Sequence, residues 1–112
     1  MTDKELLELA AKAAAIVGTY VRVHQAYGDQ WVEGIDTGAP VFWNPLTDDG
    51  DRYRLAKHLG ISIDFSDCCA WKRFTSGRLI QEFWGGDCGD EAHAVVRAAA
   101  EIARTTDTGG EA

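Results

Sequence analysis

Three carboxylates within four positions, Asp48, Asp49 and Asp51, follow two aromatics and Asn44-Pro45 in the segment FWNPLTDDGD. Hard divalent cations want several carboxylate oxygens. The calcium-loop spacing D-x-D-x-D-G with a glutamate at its twelfth position is absent, however. Residues 48, 49 and 51 also spread around a helical turn, so no metal is expected there. Cys68, Cys69 and Cys88 with His93 would make a Cys₃His zinc set. Adjacent cysteines on a strand point to opposite faces, and there is no CxxC, which favours reduced thiols. The histidines His24, His58 and His93 stand in no G-x-S-x-G, H-E-x-x-H, P-loop or G-x-G-x-x-G context. Neither catalytic residues nor a cofactor is expected.

Two other constellations suit binding. Asp3, Glu5, Glu8, Asp48, Asp49, Asp51, Asp90, Glu91 and Glu101 can line an acidic surface that occupies a basic site on a partner protein. Alternatively, Trp71, Lys72, Arg73 and Phe74 with Arg78 interleave aromatics and bases. Nucleotide or single-strand binders use that chemistry to stack bases and hold phosphate. Against each stands a plain reading: acids that favour helix starts or solubility, and a hairpin with one packed and one solvated face.

The charge pattern bears on both. The formal net charge is −7, which argues against a duplex-DNA binder. Residues 52 to 78 carry six basic and two acidic side chains, whereas residues 1 to 51 carry three and nine. One basic patch in an acidic field is expected.

The elements that must position these residues are legible in the periodicity. Thr2-Asp3-Lys4-Glu5 is a capping box, and Leu6, Leu9, Ala10, Ala13 and Val17 recur at helical spacing. A helix over residues 3 to 16, ended by Gly18, is predicted. Residues 19 to 25 and 30 to 36 form a hairpin across Tyr27-Gly28-Asp29, and Val41-Phe42-Trp43 a short strand. Thr47 is the expected N-cap of a helix over 48 to 59, with acids first, Arg54 and Lys57 later and Gly60 at its end. Ile61, Ile63 and Phe65 alternate as a half-buried strand. Residues 69 to 74 and 79 to 84 make another hairpin. A last amphipathic helix carries Ala92, Val95, Val96, Ala99, Ile102 and Ala103, capped near Asp90 or Asp87.

At 112 residues, with 46% hydrophobic and 26% charged side chains, the chain is long enough for one cored domain and not disordered by composition. The domain is expected over residues 1 to 106, followed by a flexible polar tail over 107 to 112. The fold class is α+β: a mainly antiparallel sheet with three helices in a layered sandwich. No apolar run is long enough to span a bilayer, and the N-terminus lacks the basic start of a secretory signal. A cytosolic location is the expectation.

The segments MTDKELLELAAKAA, FWNPLTDDGDRYRLAKHLGI and HAVVRAAAEIAR resemble a family of small bacteriophage proteins, the phage ABA-sandwich domain family, earlier catalogued as a domain of unknown function. The likeness covers both ends and the middle, and WNPLTDDGD is its most specific part. It implies a layered α/β fold and a phage or prophage origin, hence the host bacterial cytoplasm. It implies no activity and no site residues. Joined to the acidic charge, it gives the expectation of a non-enzymatic accessory protein that binds a host or phage protein, for instance as an inhibitor of a host-defence nuclease. A second copy of the chain, docked on a tryptophan-rich sheet, is a further expected partner.

Overall fold

The first helix, α1 (Asp3–Ala13), starts as the capping box dictates. The Thr2 hydroxyl accepts the Glu5 N–H at 3.2 Å, and the Glu5 carboxylate accepts the Thr2 N–H at 3.2 Å. It ends earlier than Gly18. Ala15 turns into the left-handed region at φ 58°, Ile16 N–H reaches the Ala11 carbonyl, and Ala15 N–H reaches that of Lys12. That pair of bonds is a Schellman motif, with alanine where glycine is usual.

This computed structural model describes residues 1–24, 28, 30–85 and 90–107, the last two as backbone only. The expected turn at Tyr27 and Asp29, the caps at Asp87, the thiol of Cys88 and the tail from residue 108 lie outside the described residues.

After α1 come β1 (Thr19–His24) and β2 (Trp31–Asp36), an antiparallel pair in the register Tyr20–Ile35, Arg22–Glu33. The Tyr20 hydroxyl donates to Glu33. That bond, with partial burial and the Glu33 charge, pushes the phenol up to about 12. Residues 41 to 43 do not form the expected strand: only Trp43 bridges to Ile35. This strap lies so close to β2 that a Cβ on Gly34 would sit 2.7 Å from the Trp43 carbonyl oxygen, so the crossing requires glycine.

Asn44 then ties the strap down. It is 4% exposed, and it is the one buried polar residue among those described. Its Nδ2 donates to the Glu33 carbonyl (2.9 Å), its Oδ1 accepts the Leu46 N–H (2.8 Å), and its own N–H donates to Asp51 (3.0 Å). These bonds satisfy the polar groups that burial would otherwise penalise. Pro45 sits inside this turn and biases Asn44 away from helix.

The second helix, α2, spans Asp49–Leu59. Its N-cap is Asp48, not the expected Thr47: the Asp48 carboxylate accepts the Asp51 N–H at 2.7 Å, while the Thr47 N–H turns back to the Asn44 carbonyl. Gly60, left-handed at φ 73°, closes it. Next come β3 (Ser62–Asp64), β4 (Cys69–Arg73) and β5 (Leu79–Phe83), an antiparallel meander. The alternation Ile61, Ile63, Phe65 breaks at its last member. The chain leaves the strand after Asp64, whose carboxylate accepts the Ser66 and Asp67 N–H groups, and Phe65 is left exposed.

The last helix, α3 (Glu91–Asp107), lies at the centre. It packs on α1, on α2 and on one face of the β4–β5 sheet. Ala94, Val95, Val96, Ala98 and Ala99 are fully buried, and small side chains let three neighbours approach one helix closely. Leu6, Leu55, Leu59, Ile61, Phe74 and Ile80 complete this core, while Leu7, Ala11 and Ile35 form a second one beneath the strap. The fold is therefore α+β, with three helices and two separate antiparallel sheets of two and three strands among the described residues. On the side of β2 away from β1, Ile35 bonds to the strap at Trp43. On the meander, α3 covers one face only; Arg73, Leu79, Gln81 and Phe83 are exposed on the other.

Candidate functional site

All three helices begin at one end of the molecule, and two basic side chains tie those beginnings together. His93, in the first turn of α3, contacts Asp90 through Nδ1 (2.9 Å) and Asp3 of α1 through Nε2 (3.1 Å). Arg52, in the first turn of α2, donates to the Pro45 carbonyl (3.0 Å), pairs with Asp49, and lies 3.3 Å from Glu91 of α3. Three positive helix ends thus meet, and a concentration of carboxylates is what such a meeting favours. Asp90 caps α3 by accepting the His93 N–H at 3.0 Å. That bond and the imidazole together hold its carboxyl below the usual range. The opening segment of the sequence is accounted for in the same way: Asp48 caps, Asp49 pairs with Arg52, and Asp51 holds both the Asn44 N–H and Arg54 (2.8 Å).

Structural duty does not remove these acids from solvent. The Asp49 side chain is 93% exposed, and those of Asp48 and Asp90 are also open. Beside them, between the start of α2 and the end of β3, runs an open cleft of ≈330 Å³ lined by Asp49, Arg52, Tyr53, Ile63, Phe65 and Glu91. Tyr53 is 64% and Phe65 66% exposed. Phe65 is steadied by an edge-to-face contact with Trp84, 5.7 Å between ring centres. Carboxylates and open aromatic faces around one cleft suit a lysine or arginine side chain, by ion pairing and by contact with the rings. A second cleft of ≈490 Å³ lies at the other side of the α2 start, lined in part by Val41, Phe42, Asp48, Asp51 and Arg54. There Arg54 pairs with Asp48 and Asp51, as Arg52 does with Asp49 and Glu91 in the first cleft, but the rings, Phe42 and Trp43, are half-buried where Tyr53 and Phe65 are exposed.

The acidic candidates Asp48, Asp49, Asp51, Asp90 and Glu91 are therefore brought to one end of the molecule, with Asp49 and Glu91 sharing Arg52. The basic and aromatic candidates are not brought together. Strand alternation puts Trp71 and Arg73 on the open face of the meander and Lys72 and Phe74 on the other. Lys72 Nζ donates to the Leu59 carbonyl at the end of α2 (2.5 Å), Phe74 is buried, and Arg78 lies 4.0 Å from Glu101. Tyr53 and Phe65 escaped sequence reasoning. Tyr53 lies on α2 two residues after Asp51, away from the buried Leu55, Ala56 and Leu59. Phe65 was disguised as the end of a strand.

Among the described residues, no group of three His, Cys, Asp or Glu side chains is placed to hold a metal ion. Cys69 is buried and Cys68 half-buried. No described helix is long and apolar enough to cross a membrane. No family model, curated protein or solved structure matches the chain.

Proposed function

We propose that the chain is a non-enzymatic binding protein that takes a basic segment of a partner protein on the acidic end formed by α2 and α3. One observation carries this reading: Asp49 and Glu91 flank a cleft whose rim is two solvent-exposed aromatic rings, Tyr53 and Phe65. Exposed aromatic side chains ringed by polar groups are usual anchors of protein interfaces, buried at the centre once the partner docks. The net charge of −7 steers a basic partner toward any such site. The resemblance to small phage proteins supplies the setting, a phage or prophage accessory factor acting on a host or phage protein. An inhibitor of a defence nuclease is the concrete form, because nucleases present basic surfaces to their substrates.

Affinity capture from bacterial lysate tests the proposal. A saturable partner should be retained at ~0.05 M salt and released at ~0.5 M, where the screening length falls below about 5 Å. Tyr53→Ala combined with Asp49→Asn, both at exposed positions, should weaken that capture by at least about tenfold, with only a small fall in the thermal midpoint from the lost Asp49–Arg52 pair. A partner that ignores both salt and the double variant would refute the assignment, as would no partner at all.

A further inference from the structure

Among the described residues, strand β1 has one edge with no neighbour. Beyond β2 the ribbon is already capped, because Ile35 and Trp43 exchange both backbone hydrogen bonds, at 2.8 and 2.9 Å. Those two bonds also fix which way β1 faces. Ile35 gives its N–H and C=O to Trp43, so the Tyr20–Ile35 pair across the hairpin is a non-hydrogen-bonded one. Alternation then turns the N–H and C=O groups of Tyr20, Arg22 and His24 away from β2. Among the described residues no backbone group meets them. The other edges differ: β3 has three residues, and Arg97 donates to the Phe83 carbonyl of β5 at 2.9 Å. β1 is six residues of TYVRVH, without proline or glycine, and its one fixed charge, Arg22, lies over the Trp31 ring at 4.4 Å.

We propose that β1 pairs with β1 of a second copy of this chain, antiparallel across a two-fold axis at Val21, to give a continuous four-stranded sheet. The register follows from the side chains. An axis at Arg22 opposes two guanidinium groups, and an axis at Val23 sets Arg22 against His24. The axis at Val21 sets Tyr20 opposite Arg22 of the second copy, twice over, and Thr19 opposite Val23. Like charges directly across a ladder destabilise it, while aromatic and basic neighbours do not. Val21, Val23 and Val32 share the other face of the ribbon; Val23 is exposed and the other two half-buried. In the pair they run on into the same three residues of the second copy. That self-complementarity favours a second copy over a foreign strand.

Self-association has the opposite salt response to capture of a basic partner. Two copies at −7 repel, so added salt strengthens the pair while it weakens the binding proposed above. The two ideas therefore fail independently.

Light scattering at ~0.5 M salt, where charge repulsion is screened, should show the mass rising with concentration from 12.2 kDa toward twice that value. Val23→Lys, at an exposed position, should raise the dissociation constant at least about tenfold. In a chain carrying Cys68→Ser and Cys88→Ser, Val21→Cys should form an intermolecular disulfide. The proposed pair puts those two Cα atoms ~4.5 Å apart, inside the range a disulfide spans. Val41→Cys, exposed elsewhere, should not. A mass that stays at one chain, a dimer indifferent to Val23→Lys, or equal cross-linking from Val21→Cys and Val41→Cys would each overturn the pairing. Retention of an unrelated extended peptide by β1 in place of self-association would overturn it as well.

Discussion

His93 holds carboxylates from two helices at once, and its protonation state follows from that. Partial burial pulls its pKa down, but the hydrogen bonds and charges of Asp90 and Asp3 outweigh this, and the net shift is upward from 6.5. The protonated ring is therefore the form the folded protein favours. Its contribution is complete below the unfolded value of about 6.5 and is lost as pH rises through the higher folded value. The side chain is one-third exposed, so solvent keeps the effect to at most about 1 kcal/mol. Urea midpoints should fall as pH is raised from about 6.5 toward 8, and His93→Gln should flatten that limb. Asp90 supplies the opposite limb. Its lowered pKa makes its share present above 3.8 and lost as pH falls below that, through its folded value. A wild-type midpoint that climbs between neutral and mildly alkaline pH would contradict the bridge.

At the scale of elements, Ala15 is the plainest departure from local preference. An alanine in the left-handed region costs roughly 1–2 kcal/mol, and glycine there gives back roughly 0.5–1 kcal/mol in lost chain entropy. Ala15→Gly should therefore stabilise the protein by about 0.5–1 kcal/mol, read as a higher urea midpoint with an unchanged slope. Most elements were legible in the sequence because local chemistry and packing agree in them. Thr2 and Glu5 announce α1, acids and then bases followed by Gly60 frame α2, and both hairpins fall within a residue of their expected bounds. The misreadings share a physical origin. Gly18 looked like the helix end because its left-handed preference is intrinsic, yet Ala15 is driven there by the burial of Ile16 against Leu7 and Ala11. Thr47 and Asp48 are both good caps, and only the Asn44 turn decides between them. Trp71 to Phe74 look like one cluster in the sequence, but a strand sends alternate side chains to opposite faces. The acidic end was legible as residues but not as a place, since His93 and Arg52 assemble it across long separations.

The whole molecule is unevenly held. Its radius of gyration is 14.3 Å, against ~13 Å for a compact chain of this length, and its longest extent is 49 Å. The β1–β2 ribbon is the less firmly held part: its main helix contacts are with α1, whereas α3 is gripped by both other helices and by the meander. A two-stranded ribbon is marginal by itself. Amide hydrogen exchange should be slowest at Val95, Val96 and Ala99 and, among the amides hydrogen-bonded within helices and strands, fastest at Val21, Val23 and Val32. Uniform protection across both regions would show that the ribbon is anchored by more than α1.

Asn44 joins those unequal parts, and its successor in the chain guards it against chemical ageing. Asparagines lose ammonia when the backbone nitrogen that follows attacks the side-chain amide and closes a ring. Here that nitrogen belongs to Pro45 and carries no proton, so the route is shut. An aspartate at this position would set a carboxylate oxygen against the Glu33 carbonyl, where the Asn44 side-chain amide now donates. The dipeptide thus fixes the shape of the turn and also its working lifetime.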